Sequence, residues 1–69
     1  MIINEITVNL WTNSGETYVK ITGYDKEGSA KTLIKESNHG SWASDMLKLG
    51  AQGYYDLWAP RFIGAEVAT

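Results

Sequence analysis

The chain contains no cysteine among its 69 residues, and it has only one proline and one histidine. Without cysteine there are no disulfides, no thiolate metal ligands and no thiol nucleophile. Because secreted domains of this size usually depend on disulfides, we expect a cytoplasmic protein. No apolar run approaches the roughly 20 residues of a membrane-spanning helix, and residues 1–5 do not resemble a signal peptide, so no membrane association is expected.

Motifs that carry chemistry are also lacking. The single histidine, His39, lies beside Ser37 and Ser41, but catalytic partners are rarely sequence neighbours, and we interpret His39 as a solvated loop residue. The acidic residues are scattered singly, without the spacing of a cation-binding loop. The Gly50–Gly53 segment lacks the lysine of a phosphate-binding loop. We therefore predict no enzyme activity, no metal site and no cofactor.

The length and charge set further bounds. A chain of 69 residues forms one domain, 1–69, and buries only about 60% of its unfolded surface. Such a thin core leaves little room for a ligand pocket, and oligomerisation commonly stabilises domains of this size. The formal net charge of −2 and the pI of about 5.1 argue against binding nucleic acid by charge alone.

Three segments alternate apolar and polar residues with a period of two, which is typical of β-strands. They cover about 2–12, 17–25 and 29–36. The segments Asn13–Glu16 and Asp25–Gly28 separate them, and each has Asn or Asp early and Gly late, as hairpin turns do. The pattern predicts an α+β fold with a three-stranded antiparallel β-meander.

The two turns also predict the pairing of the strands. The first loop sets Leu10 opposite Val19 and Trp11 opposite Tyr18. The second loop sets Tyr24 opposite Ser29, and it gives the following further pairs: Gly23 with Ala30, Ile21 with Thr32, Lys20 with Leu33, Val19 with Ile34, and Tyr18 with Lys35. Both hairpins then place their apolar side chains on one face, and a slip of one residue would destroy this agreement.

A helix over about 41–51 is predicted to cover that apolar face. Trp42, Met46 and Leu49 lie at helical spacing, and Asn38 or Ser41 provides the N-cap. Gly50 or Gly53 is a natural stop for this helix.

The C-terminal segment leaves alternatives open. Residues 54–58 suit either a strand or a helical turn. Residues 61–67 suit either a short fourth strand at the sheet edge or an irregular segment.

The opposite face of the sheet is the candidate binding site. It combines aromatic and basic side chains, predicted to be Trp11, Tyr18, Lys20, Tyr24, Lys31, Leu33 and Lys35. Three interpretations stand. The face is solvated or covered by the C-terminal segment, it is a protein interface anchored by Trp and Tyr, or it binds nucleic acid by stacking bases and neutralising phosphates. Most acidic residues lie outside it, which suits docking onto a basic groove of a larger protein.

A three-stranded meander followed by a helix resembles, over residues 5–50 and in topology only, the sheet-type DNA-binding domains found in integrase arms. Small acidic domains without cysteine are also similar to the accessory proteins of phages, including inhibitors of host proteins. These resemblances imply, respectively, a nucleic-acid-binding sheet and a viral accessory protein. Our leading hypothesis is a non-catalytic protein-binding module of the inhibitor or modulator type, which occupies a surface of a larger host protein. The alternatives are a nucleic-acid-binding sheet and a structural homodimer.

Overall fold

A computed structural model describes residues 1–68 and contains an α+β fold. Three antiparallel strands form one open sheet in the order β1-β2-β3, and a helix follows them. The elements are β1 Glu5–Asn13, β2 Glu16–Tyr24, β3 Ala30–His39 and α1 Gly40–Phe62. The predicted meander and the helix packed on one of its faces are confirmed.

The β1–β2 hairpin has the predicted register. Leu10 lies opposite Val19 and Trp11 lies opposite Tyr18. The turn is shorter than predicted, because Asn13 and Glu16 still pair and only two residues connect them. Both of these, Ser14 and Gly15, have positive φ, at 53° and 81°. A two-residue turn with positive φ at both residues has a backbone twist that matches the right-handed twist of the flanking strands. The strands therefore stay paired up to the turn.

The predicted register of the β2–β3 hairpin is wrong. Tyr24 lies opposite Ala30 instead of Ser29. The cause is the side chain of Asp25, whose Oδ1 accepts hydrogen bonds from the N–H groups of Glu27 and Ser29, at 3.0 and 2.9 Å. This carboxylate holds Ser29 in the turn, so the strand begins one residue later than the alternation predicts.

A β-bulge then shifts the register again, at the step between Ile21 and Thr22 of β2. Thr22 lies opposite Thr32 and Ile21 lies opposite Ile34, so Leu33 is the extra residue of β3. Beyond the bulge, the pairing brings Lys20 opposite Lys35. It also places Tyr18 opposite Ser37 and Val19 opposite Glu36, where Lys35 and Ile34 were expected.

Gly23 explains why Leu33 turns toward the helix side. A Cβ atom at Gly23 would lie 2.7 Å from Leu33 Cδ1 and 2.8 Å from Ile3 Cδ1. The missing side chain therefore leaves space on the apolar face, and the side chains of Leu33 and Ile3 fill it. Filling this space removes apolar surface from water, which favours the bulged register.

The helix is about twice as long as predicted. It runs from Gly40 to Phe62, with a break at Gly50, where φ is 72° and ψ is 170°. Gly50 thus interrupts the helix as expected of a stop signal, but the helix resumes and includes residues 54–58. The predicted caps are not used: the N-cap is His39, without a side-chain hydrogen bond.

The face that the helix buries also differs from the prediction. Its buried residues are Ala43, Met46, Tyr54 and Ala59. Trp42 and Leu49, which were predicted to flank Met46 in the core, are 68% and 43% exposed. Gly50 breaks the helix, and each half buries its own pair of residues: Ala43 and Met46 in the first half, Tyr54 and Ala59 in the second.

The core lies between this helix and one face of the sheet. Its buried members are Ile3, Ile6, Val19, Ile21, Met46, Tyr54 and Ala59. Burying each large apolar side chain of this kind contributes about 1.5–3 kcal/mol.

The C-terminal residues run back along the N-terminus. The N–H of Gly64 donates to Ile3 O at 2.8 Å, and the N–H of Val67 donates to Met1 O at 2.9 Å. Among the described residues, this segment forms one isolated bridge, between Ile2 and Glu66, in place of a fourth strand. No helix within residues 1–68 has the length and apolar character needed to cross a membrane.

Candidate binding face

The face of the sheet that points away from α1 is called the open face. Its residues follow from the register: Glu5, Thr7, Asn9, Trp11 and Asn13 of β1; Glu16, Tyr18, Lys20, Thr22 and Tyr24 of β2; Ala30, Thr32, Lys35, Ser37 and His39 of β3. All of them are exposed or half-buried. The C-terminal aromatic residues pack on the opposite side, against the core, so within residues 1–68 they do not cover the open face.

Two aromatic rings of the open face stack on each other. Trp11 and Tyr18 lie directly opposite each other on β1 and β2, and their rings stack with centroids 5.3 Å apart and planes 14° apart. Trp11 is nevertheless 41% exposed. Stacking fixes the two side chains before any partner arrives, so little conformational entropy remains to be lost on binding.

A pair of lysines lies in the next row. Lys20 is directly opposite Lys35, and Asn9 completes the row on β1. Like charges in directly opposed positions destabilise a sheet, because their side chains begin only about 5 Å apart. The Lys20–Lys35 pair is therefore an unfavourable interaction within the sheet, in the row next to the aromatic pair.

Acidic side chains are confined to the ends of the open face. Glu16 lies in the row at the β1–β2 turn, and Glu5 lies in the row at the other end. The three middle rows, which contain the aromatic pair and the lysine pair, have no acidic residue. The middle of the open face is thus basic, although the chain as a whole carries a net charge of −2.

Five of the predicted site residues lie on the open face: Trp11, Tyr18, Lys20, Tyr24 and Lys35. The other two do not. Leu33 packs against the core, and Lys31 lies opposite Gly23, whose missing side chain faces the core. The changed register is the reason in both cases. The same change of register moves two residues the other way. Ala30 and Thr32 were predicted to lie on the apolar face and are instead exposed on the open face.

A hydrogen-bonded group marks the start of β1. The hydroxyl of Tyr55 donates to Glu5 Oε1 at 2.7 Å, and the same oxygen accepts the N–H of Ile6 at 2.9 Å. The hydrogen bond from Tyr55 lowers the pKa of Glu5 most, and the hydrogen bond from the N–H of Ile6 lowers it further. The same contact raises the pKa of Tyr55, because it favours the phenol over the phenolate. Because 50 residues separate the two partners, no local pattern of the sequence predicts this contact.

His39 is exposed at the start of the helix, opposite Glu16. Within the described part of the chain, no three His, Asp or Glu side chains converge as they would around a metal ion.

A cleft of about 340 Å³ lies at the far end of the sheet. It is larger than the thin core was expected to allow. Met1, Ile2, Asn4 and residues 25–27 line it. The carboxylate of Asp25 already accepts two hydrogen bonds within the β2–β3 turn. It is therefore not an obvious group for binding a polar ligand in the cleft.

The fold and the open face together describe a small sheet-and-helix domain with one uncovered aromatic and basic surface. Comparison of the chain with protein families, curated proteins and solved structures finds no match.

Proposed function

We propose that this protein is a non-catalytic protein-binding module that uses the middle of its open face to occupy a surface of a larger protein. The stacked pair of Trp11 and Tyr18 is the observation that carries the proposal. Trp and Tyr are enriched among the residues that contribute most to binding at protein interfaces. Here Trp11 is exposed, Tyr18 is half-buried, and the two rings stack in one of the middle rows of the open face.

The lysine pair indicates the chemistry of the partner. Lys20 and Lys35 repel each other in the free protein, and no acid in the middle rows relieves the repulsion. A partner carboxylate placed between them would accept charge-assisted hydrogen bonds from both ammonium groups. We therefore infer that the partner presents an acidic side chain next to an apolar contact for Trp11.

The function that follows is inhibition or modulation by occupancy. A domain of 69 residues has limited surface for separate tasks, and a standard interface takes about 800 Å² of each partner. The total exposed surface is 4473 Å², so one such interface would use a substantial part of the molecule. Blocking a surface of the partner is the simplest consequence of such contact.

Affinity capture from the native host tests the proposal when variants are compared. Trp11→Ala and Tyr18→Ala should each reduce the recovered partner by tenfold or more, which corresponds to a loss of about 1.4 kcal/mol of binding free energy. Trp42→Ala is the matched control, because Trp42 is more exposed than Trp11 but lies on the helix. Circular dichroism establishes that each variant keeps its fold.

Two results would contradict the proposal. One is equal recovery of the partner by wild type and both open-face variants. The other is loss of the partner on Trp42→Ala alone, which would place the binding surface on the helix.

Nucleic acid is the second candidate, and the adjacency of the lysine pair to the aromatic pair is the observation in its favour. The register leaves two lysines on the open face where three were expected, which weakens an electrostatic site. Binding to a single-stranded oligonucleotide that falls steeply with salt and requires Lys20 and Lys35 would support this candidate. Absence of a gel shift at low salt would dismiss it.

A further inference from the structure

The two edges of the sheet are protected to different degrees. An exposed edge strand presents unpaired N–H and C=O groups, and proteins commonly protect such edges with bulges, lysines or prolines. The outer strand β3 has two of these protections, because it contains the bulge at Leu33 and carries Lys31 and Lys35. The other outer strand, β1, pairs with β2 in an uninterrupted register.

The residues that precede β1, and the N–H of Ile6 near its start, already have hydrogen-bond partners within the protein. Residues 1–3 exchange backbone hydrogen bonds with residues 64–67. The N–H of Ile6 is accepted by the Glu5 carboxylate, which Tyr55 holds in place. Beyond Ile6, the described residues give β1 no strand partner other than β2.

The remaining stretch, Thr7–Asn13, has the composition of a pairing strand. Its sequence, TVNLWTN, contains no charged residue, no proline and no glycine. Short segments with high β-propensity and low charge readily add to another strand. Its apolar side chains are also incompletely covered: Val8 and Leu10 are half-buried, whereas Ile21 and Val19, opposite them on β2, are fully buried.

We propose that Thr7–Asn13 is a dimerisation edge, at which β1 of a second copy of this chain pairs antiparallel to form a continuous six-stranded sheet. A two-fold axis perpendicular to the sheet and passing near Leu10 gives this arrangement. Thr7 then lies opposite Asn13 of the other copy, and the two Leu10 side chains meet on the helix side. An interface of this kind is self-complementary, as two-fold interfaces must be.

Charge favours a second copy as the occupant. Pairing β1 with itself opposes no like charges, because the only charged residue of the strand, Glu5, lies outside the paired stretch. Pairing β3 with itself would bring lysines of both copies to one interface. The added strand would also cover the exposed side of Val8 and Leu10, which gives a thin domain more buried apolar surface.

The dimer would have a consequence for binding. The perpendicular axis keeps both open faces on the same side of the sheet, so two Trp11–Tyr18 pairs would face one partner or two. The dimerisation edge stands on its own observations, however, and its test does not require a binding partner.

Sedimentation velocity over a series of protein concentrations tests the proposal, with charges introduced at Asn9. Asn9 is exposed, lies opposite Lys20 and is near the proposed axis. Wild type should show a reversible monomer–dimer equilibrium. Asn9→Asp and Asn9→Lys should each weaken it by tenfold or more, because the introduced charges of the two copies lie diagonally across the axis, about 7–8 Å apart. An equimolar mixture of the two variants should restore the dimer.

Thr32→Asp is the matched control, since Thr32 is exposed on the open face of the other edge strand. It should leave the equilibrium unchanged. A wild type that stays monomeric up to about 1 mM, the range of the weakest specific association, would overturn the proposal. So would a dimer that survives both Asn9 variants, or one that Thr32→Asp dissociates.

Discussion

Lys20 and Lys35 lie directly opposite each other on the open face, on neighbouring strands. This pair is unfavourable for the isolated fold and is therefore a position where stability and binding should respond in opposite directions. Sites that evolve to bind a partner commonly retain such local costs.

Lys35→Glu should stabilise the free protein and weaken partner capture. An opposite-charge pair in place of a like-charge pair is worth about 0.2–1 kcal/mol, which urea denaturation measures. Lys26→Glu makes the same change of charge in the exposed β2–β3 turn, away from the pair, and should leave capture unchanged. Capture that is insensitive to Lys35→Glu would remove the lysines from the binding account.

Gly23→Ala should destabilise the protein by about 1–3 kcal/mol, because the new Cβ would overlap the side chains of Leu33 and Ile3. Combining it with Leu33→Ala should cost less than the sum of the two single changes, since removing the leucine frees the space. A double-mutant cycle measured by urea denaturation checks this coupling. Additive losses would show that the glycine does not direct Leu33 to the core.

Gly50→Ala should destabilise the protein by about 1–3 kcal/mol, because a φ of 72° with a ψ of 170° is essentially restricted to glycine. A Cβ there would meet no neighbouring atom, so the cost would come from the backbone alone. Ala51→Gly, at the next position, tests helix propensity without this constraint, at a cost of about 1 kcal/mol. A neutral Gly50→Ala would indicate that the helix is continuous.

Tyr55→Phe should raise the pKa of Glu5 toward its ordinary value of 4.5, because it removes the first of the two donors that lower it. Since folding lowers this pKa, the stabilisation is present above pH 4.5 and is lost as the pH falls through the folded value. The variant should therefore lose less stability on acidification below that pH. Carboxyl NMR titration measures the change, and Tyr24→Phe, opposite Glu5 on β2, is the control.

The β1–β2 hairpin could be predicted because two independent signals agreed. The alternation of both strands and the Asn-Ser-Gly turn specify one register, and it is the register observed. In the second hairpin these signals were incomplete. The side chain of Asp25 retains Ser29 in the turn, and the space beside Gly23 attracts Leu33. Both effects depend on contacts in space, and alternation along one strand does not report them.

The helix could be predicted only at its start, because Gly50 and Pro60 are both stop signals in sequence. Packing of Tyr54 and Ala59 against the sheet prevails over them. Pro60 has no N–H to complete the helical bond to Asp56, but it lies in the last turn, and the helix ends two residues later at Phe62.

Five of the seven predicted site residues lie on the open face, although the predicted register of the second hairpin is wrong. The two register shifts together amount to two residues, so the residues after the bulge return to the predicted face. Lys35 is therefore on the open face, while Lys31 and Leu33, at or before the bulge, are not.

Mapping the partner onto the protein by amide NMR tests the central claim most directly. In a titration of the isotope-labelled protein with its captured partner, the account predicts the largest changes in the middle rows of the open face, at Trp11, Tyr18, Lys20 and Lys35. It predicts small changes on the outer surface of the helix, around Trp42 and Leu47. Changes concentrated on that helical surface, with the middle rows unaffected, would contradict the account.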